Sequence, residues 1–546
     1  MLRDLVRRRV QDQGDDGFTL IAVVTFSLLV MLLTTALLGE SVSQANDSQR
    51  QKRDDQLIAG AEAVIDRYAS KLTINPQYYL QRVDESERAR TCVQSGHAQI
   101  NVEVQPGSDW ISGCIEWAYL TDPTDADWFT HPLLVTEEDI ESLIEITPPA
   151  DDGGVEITVV GRIAARDHYR AISAEINAVS LSQFVRVTEL DLRYGDGAVL
   201  TGKVYSGGNL SFEGTTSVAA DIHSEGTLFN TSPYSCPTFL DGAEAYDSGS
   251  GNCSAGNVRD VFPEALAFSN FWDDLDRIVN VACGGSGLCL NHGYEAYIVH
   301  PYLSGGEGKL AIWGSDTNPP THSGCTAEDE DSWWQLVHDA SVTWTSIGSS
   351  VDYPANGVVW ADGHVIVGNR GPNPSGTSGS TSVITGGLTI LAGTQSDQKN
   401  LIYNAEVEYS DPDSFDIIGL IASDEFVINP YAVGSDLSLE LRGAVLSQEN
   451  KWLVSYYCGD DGSSVWYDTA TGQPVEWGTT GSGYATLNVT GSIASPNTGN
   501  PSGSFSPRNY GFDSRLAYLR PPFYPLIGDD WSYENWSEDT IPSWAK

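Results

Sequence analysis

The sequence predicts an α+β chain that is mostly β. It should have a long N-terminal transmembrane helix, a mixed α+β part, and then an interrupted β-solenoid, or β-helix-like, head. Three observations carry that expectation. Phe18 to Leu38 contains no charged residue, Val155 to Ala164 and Tyr169 to Ala178 alternate apolar with polar residues, and a Gly-rich pattern after Leu190 recurs at an offset of eighteen residues.

The N-terminal element comes first. Arg3, Arg7, Arg8 and Arg9 precede Asp15-Asp16-Gly17, and the apolar run starts at Phe18. Twenty-one helical residues at about 1.5 Å each span a hydrocarbon core of roughly 30 Å. The arginines should stay cytoplasmic, which puts the remainder outside. The run is longer than the apolar region of a secretory signal, and no small-residue cleavage site follows it, so the helix should be retained. It should continue through the proline-free stretch Glu40 to Leu72 and stop at Asn75-Pro76. Leu57, Ala61, Val64, Ile65, Tyr68 and Leu72 recur at helical spacing and form a stripe that can pack against a head.

Beyond the helix, Thr136 to Ile146 reads as a helix started by a Thr136 cap with Asp139 three residues on. A hairpin follows from the two alternating segments, with Arg166-Asp167-His168 at its turn. In the repeat, Val204 to Leu210 matches Ile222 to Leu228, a third copy is Val359 to Val365, and a looser fourth runs from Leu420 to Phe426. One such unit is the size of a coil with three faces of about six residues, each burying its apolar side against the next. Residues 231–350 differ in character, with five cysteines, a helix expected over Pro263 to Ala282, and Trp333, Trp334 and Trp344; the simplest account is an insertion between rungs. Its tryptophans fit either a core or a binding face for a surface or a carbohydrate.

Composition restricts the partners. The 74 acidic against 29 basic residues give a formal charge of -45, which makes nucleic acid a poor partner and predicts a surface that salt steadies. All eight cysteines, Cys92, Cys114, Cys236, Cys253, Cys283, Cys289, Cys325 and Cys458, follow the apolar run, as an oxidising exterior requires. Local pairing would join Cys92 to Cys114, Cys236 to Cys253 and Cys283 to Cys289, leaving Cys325 with Cys458; the sequence leaves this connectivity open. With no CxxC pair and nine scattered histidines, neither a metal site nor a cofactor is expected.

Gly17-Phe18-Thr19-Leu20-Ile21 resembles the cleavage motif of type IV prepilins and pseudopilins, a prepilin signal of class III. The resemblance implies that a prepilin peptidase cuts after Gly17 and that the new N-terminus, Phe18, is methylated. Most pilins carry Glu as the fifth mature residue, and here that position is Ala22. This departure resembles K-type pseudopilins and PilX-like minor pilins and implies a tip or initiating subunit, while leaving open whether the chain polymerises. Gly202 to Leu210, Tyr510 to Leu516 and Pro521 to Pro525 resemble head and closing motifs of PilX-like and related pilus-assembly proteins.

On this resemblance the chain divides into a leader, 1–17, the transmembrane and amphipathic helix, 18–75, and a pilin-like α+β region, 76–190. First solenoid rungs, 191–230, the Cys/Trp-rich insertion, 231–350, the solenoid continuation, 351–495, and a capping segment, 496–546, complete it. The implied protein is a single-pass membrane subunit with its head outside the cytoplasm, at the pilus or cell surface after assembly. Its implied partners are the peptidase, other pilin or pseudopilin subunits and the inner-membrane assembly platform. Two alternatives stand beside it: a membrane-anchored adhesin outside any filament, and an anchored carbohydrate-active enzyme. No GxSxG, HExxH, phosphate-binding or dinucleotide-binding motif occurs, and the carboxylates at Asp411, Asp413 and Asp416, or at Asp122, Asp125 and Asp127, are too common in this chain to single out a catalytic pair. No catalytic residue is therefore expected.

Overall fold

The computed structural model describes residues 16–74, 133–177 and 180–317 except for short stretches, 342–368, most of 381–527, and 532–539. Helix α1, Asp16–Ile74, is unbroken over 59 residues and ends just before Asn75-Pro76. Without proline inside it, every backbone carbonyl up to the last turn keeps its partner.

The second half of α1 packs on an antiparallel sheet of β1, Leu133–Glu137, β2, Ile140–Thr147, β3, Val155–Ile163, and β4, Tyr169–Asn177. The expected hairpin is present as β3 and β4, with Val155 opposite Ile176 and Val159 opposite Ile172. Thr136 to Ile146, expected to be helical, instead forms the β1–β2 hairpin, in which Glu137 pairs with Ile140. Its β-branched residues suit a pleated strand, and eight ladder positions on β3 outweigh one helix cap. A fifth strand, Ser532–Asp539, pairs with the other edge of β4.

The rest is mostly a stack of parallel ladders, with Glu307–Ser315 paired antiparallel to Ala296–Ser304 on one side and to Thr345–Asp352 on the other. Arg186–Thr188, Val204–Ser206, Ile222–Ser224 and Ala245–Asp247 pair in succession, as do Leu192–Tyr194, Leu210–Phe212 and Leu228–Phe229 on a second face, and Val199–Leu200, Ser217–Val218 and Thr238–Phe239 on a third. Asn209 donates its backbone N–H to Asp191, and Thr227 donates its own to Asn209, each across the 18-residue offset seen in the sequence. A second series runs Leu288–Leu290, Val358–Ala361, Gly387–Ala392, Ile417–Ala422, Ser438–Ser447 and Ala485–Ala494. Beside it run Ala296–Ser304, His364–Val367, Leu401–Tyr403, Phe426–Ile428 and Trp452–Val454. The third and fourth repeat copies therefore occupy equivalent places, with Val359 and Leu420 on one ladder and Val365 and Phe426 on the other.

The two series join out of chain order. Ala485–Ala494, late in the chain, pairs in parallel with Arg186–Thr188, the first strand of the stack. The chain thus enters at the middle of the stack, builds to one end, crosses to the other and builds back. Helix α2, Trp272–Cys283, makes that crossing on the outer face, burying Trp272, Leu275, Ile278 and Ala282 against Trp360, Leu391 and Ile421. Of the helix expected over Pro263 to Ala282, residues 263–265 lie outside the described residues and Phe268–Phe271 forms a separate 3-10 turn. Parts of 231–350, expected to project as an insertion, pair into the stack: Ala245–Asp247, Leu288–Leu290 and Ala296–Ser304 join its ladders. The segment expected to cap the last rung also lies elsewhere. Phe505–Gly511 pairs in mid-stack with Ala485–Ala494 and Val199–Leu200, and Pro522 lies on the outer face, where its carbonyl accepts from Thr389 Oγ1 at 2.6 Å. Rows of Val, Leu and Ile fill the interior, because alternate residues of each short strand face inward.

Candidate functional site

The region set apart by its chemistry is α1, whose two halves differ. From Val23 to Leu38 the side chains are bare, with Phe26 71% and Met31 68% exposed, and the helix is long and apolar enough to cross a membrane. So large a continuous apolar surface calls for an apolar surrounding, either lipid or other helices. Two of its hydroxyls are answered from within: Thr34 Oγ1 donates to the Val30 carbonyl at 2.8 Å and Thr35 Oγ1 to Met31 at 2.7 Å. A hydroxyl bonded inside its own helix loses little on leaving water.

From Leu57 onward one face of α1 is buried. Leu57, Ala61, Val64, Ile65, Tyr68 and Leu72, the stripe read from the sequence, are at most 5% exposed. Gly161 on β3 allows the close approach, since a Cβ there would stand 3.2 Å from the Leu57 carbonyl oxygen. Arg170 on β4 fixes the register by donating Nε to Asp54 at 3.2 Å and placing Nη2 2.9 Å from the second carboxylate oxygen. The hydrogen bond to Asp54 holds the guanidinium more firmly protonated than usual. This contact had no signal in the sequence, because its partners are 116 residues apart.

Gly17, Phe18 and Ala22 lie in the first two turns of α1 by backbone position, and 1–15 falls outside the described residues. Cys236 bonds to Cys253 and Cys283 to Cys289, with Cα separations of 5.4 and 4.8 Å; both were among the expected local pairings. Cys92, Cys114 and Cys325 lie outside the described residues, so the Cys92–Cys114 and Cys325–Cys458 pairings do too. Trp344 is a core residue, 7% exposed, while Trp333 and Trp334 are outside the described residues, as are Asp122, Asp125, Asp127 and Asp413. Asp416 holds a turn: its carboxylate accepts from Ser410 Oγ at 2.6 Å and Asp411 N at 2.9 Å. Among the described residues no group of three metal-ligating side chains converges.

Several strongly perturbed side chains are inside the stack. Arg186, 2% exposed, donates to the carbonyls of Val187, Ile493 and Asn497 and to Ser495 Oγ, and burial pushes its pKa down to about 10. Burial also lowers His300, beside Ser382 Oγ at 3.3 Å, to about 4. It lowers His364, whose Nδ1 accepts from Asn400 N at 2.9 Å, to about 3, with Lys399 adding to the effect. Each of these groups is engaged by the protein itself.

No protein-family model matches the chain, and no curated protein matches it in sequence. Among solved structures, the competence-associated pilin ComZ from Thermus thermophilus aligns over 89% of this chain and 97% of its own, at 11% identity and a TM-score of 0.26. A likeness at that level carries no argument for this chain.

Proposed function

We propose that this chain is a minor pilin-like or pseudopilin-like structural subunit of a type IV pilus or a type II secretion-like filament. The observation that carries the reading is one unbroken helix with a bare apolar first half and a second half seated on the β1–β4 sheet. Such a helix can rest in a bilayer before assembly and among other helices after it, while the head stays outside. The junction Gly17-Phe18-Thr19-Leu20-Ile21 supplies the processing step by resemblance, with prepilin peptidase, other subunits and the inner-membrane assembly platform as partners. Ala22 supports a place at the tip or in initiation, since a subunit with nothing above it has no neighbouring amine to neutralise. The parallel ladders support a three-faced β-solenoid head. The role in this reading is structural rather than catalytic, and Arg186, His300 and His364 fit it in that each is engaged by the protein itself.

The test is the mass of the protein isolated from its membrane. A chain starting at methylated Phe18 is expected, and Gly17→Val should block leader removal and abolish incorporation. A mature chain that keeps Met1 points to an anchored adhesin. Normal processing and placement of Gly17→Val overturns the filament reading.

A further inference from the structure

The sheet that holds α1 is finished from far away in the chain. β4 ends at Asn177, and its neighbour opposite β3, Ser532–Asp539, follows the entire stack. At the neck, Ser180 bridges Leu526 in antiparallel fashion, and its hydroxyl donates to the Pro525 carbonyl at 3.1 Å across 345 residues of chain. Glu538 sits opposite Ile172 on the side of the sheet that faces α1, and its charge favours the Arg170 guanidinium that grips Asp54.

The stack has the same dependence. Arg186–Thr188 finds one neighbour early, Val204–Ser206, and the other only in Ala485–Ala494. Three of the four acceptors around Arg186, those on Ile493, Ser495 and Asn497, arrive with that late segment. Before it arrives, burying this cation would leave most of its N–H groups unanswered. In chain order the neck bridge and the fifth strand come after the late segment that closes the seam.

We propose that Ser532–Asp539 is a strap that locks the α1-bearing sheet only once the late segment has closed the stack, so that a firmly seated helix reports a complete head. The strap rests on connectivity and register, and it holds whether or not the chain enters a filament.

Hydrogen exchange on the full-length protein tests it. Neighbouring amides in a strand point to opposite sides, so Tyr533→Pro combined with Glu534→Pro removes whichever one faces β4. Exchange should quicken about tenfold over 57–72 and 169–177 while 387–392 stays as in the wild type. Glu534→Gly with Ser537→Gly, which keeps every amide, should quicken the same two segments about threefold. Arg186→Ala should loosen 485–494 and 169–177 together. Wild-type protection of 57–72 and 169–177 in both strap variants overturns the proposal. So does loss of protection at 387–392 in step with them, or an Arg186→Ala protein whose 169–177 stays protected while 485–494 loosens.

Discussion

His300 and His364 lie within the stack, where burial disfavours the imidazolium, so both stay neutral in the fold down to about pH 4 and 3. In the unfolded chain a histidine protonates near pH 6.5. Between these values the unfolded state binds more protons than the native one, and stability therefore falls as pH drops from about 6.5 toward 4. His300→Gln should shrink the difference between the urea midpoints at pH 7 and about pH 4.5, and an unchanged difference would count against a neutral buried His300. Arg186→Ala should cost roughly 3 kcal/mol or more in a denaturant titration, through a cavity and carbonyls left without donors. Neither role was legible in the sequence. Arg186 stands between Val185 and Val187, where alternation would point it to water, and its acceptor Ser495 Oγ is 309 residues away. The helix stripe was legible residue by residue, since Leu57 to Leu72 answers to a local period of 3.6.

At the scale of elements, α1 followed from composition alone: an uncharged run, no proline, and Asn75-Pro76 to end it. Seating its second half on β3 and β4 predicts that Ile65→Ala, at a fully buried position, costs about 3 kcal/mol, read from the thermal or denaturant midpoint of the head. The β1–β2 hairpin was misread because a Thr cap is a local signal, whereas the partner that makes those residues a strand is β3. The early parallel pairings were legible because their offset is constant. Later strands carry longer connections, and there only the short copies at Val359 and Leu420 remain visible. Where Ser438–Ser447 meets Ala485–Ala494, Gly443 and Gly491 face each other in register with φ of 106° and 156°. A Cβ on Gly491 would stand 2.0 Å from the Gly443 carbonyl oxygen. Gly491→Ala should therefore open this ladder, seen as faster exchange over 485–494 and a lower midpoint.

The whole molecule carries a formal charge of -45. Raising NaCl from about 0.05 to 1 M should lift the melting temperature by about 3 °C or more by screening self-repulsion, and a flat response would mean that the carboxylates serve solubility alone. The mostly β character and the apolar helix were legible from composition and period. The order of the rungs was not, because a seam between strands some 300 residues apart leaves no local pattern. That seam places the neck, where Ser180 meets Leu526, beside the middle of the stack. Tension drawn along α1 would then be shared between two adjacent strands and delivered at the waist of the head. Both ends of the stack would hang free of the load, and detachment would have to shear the neck before a single terminal rung could peel.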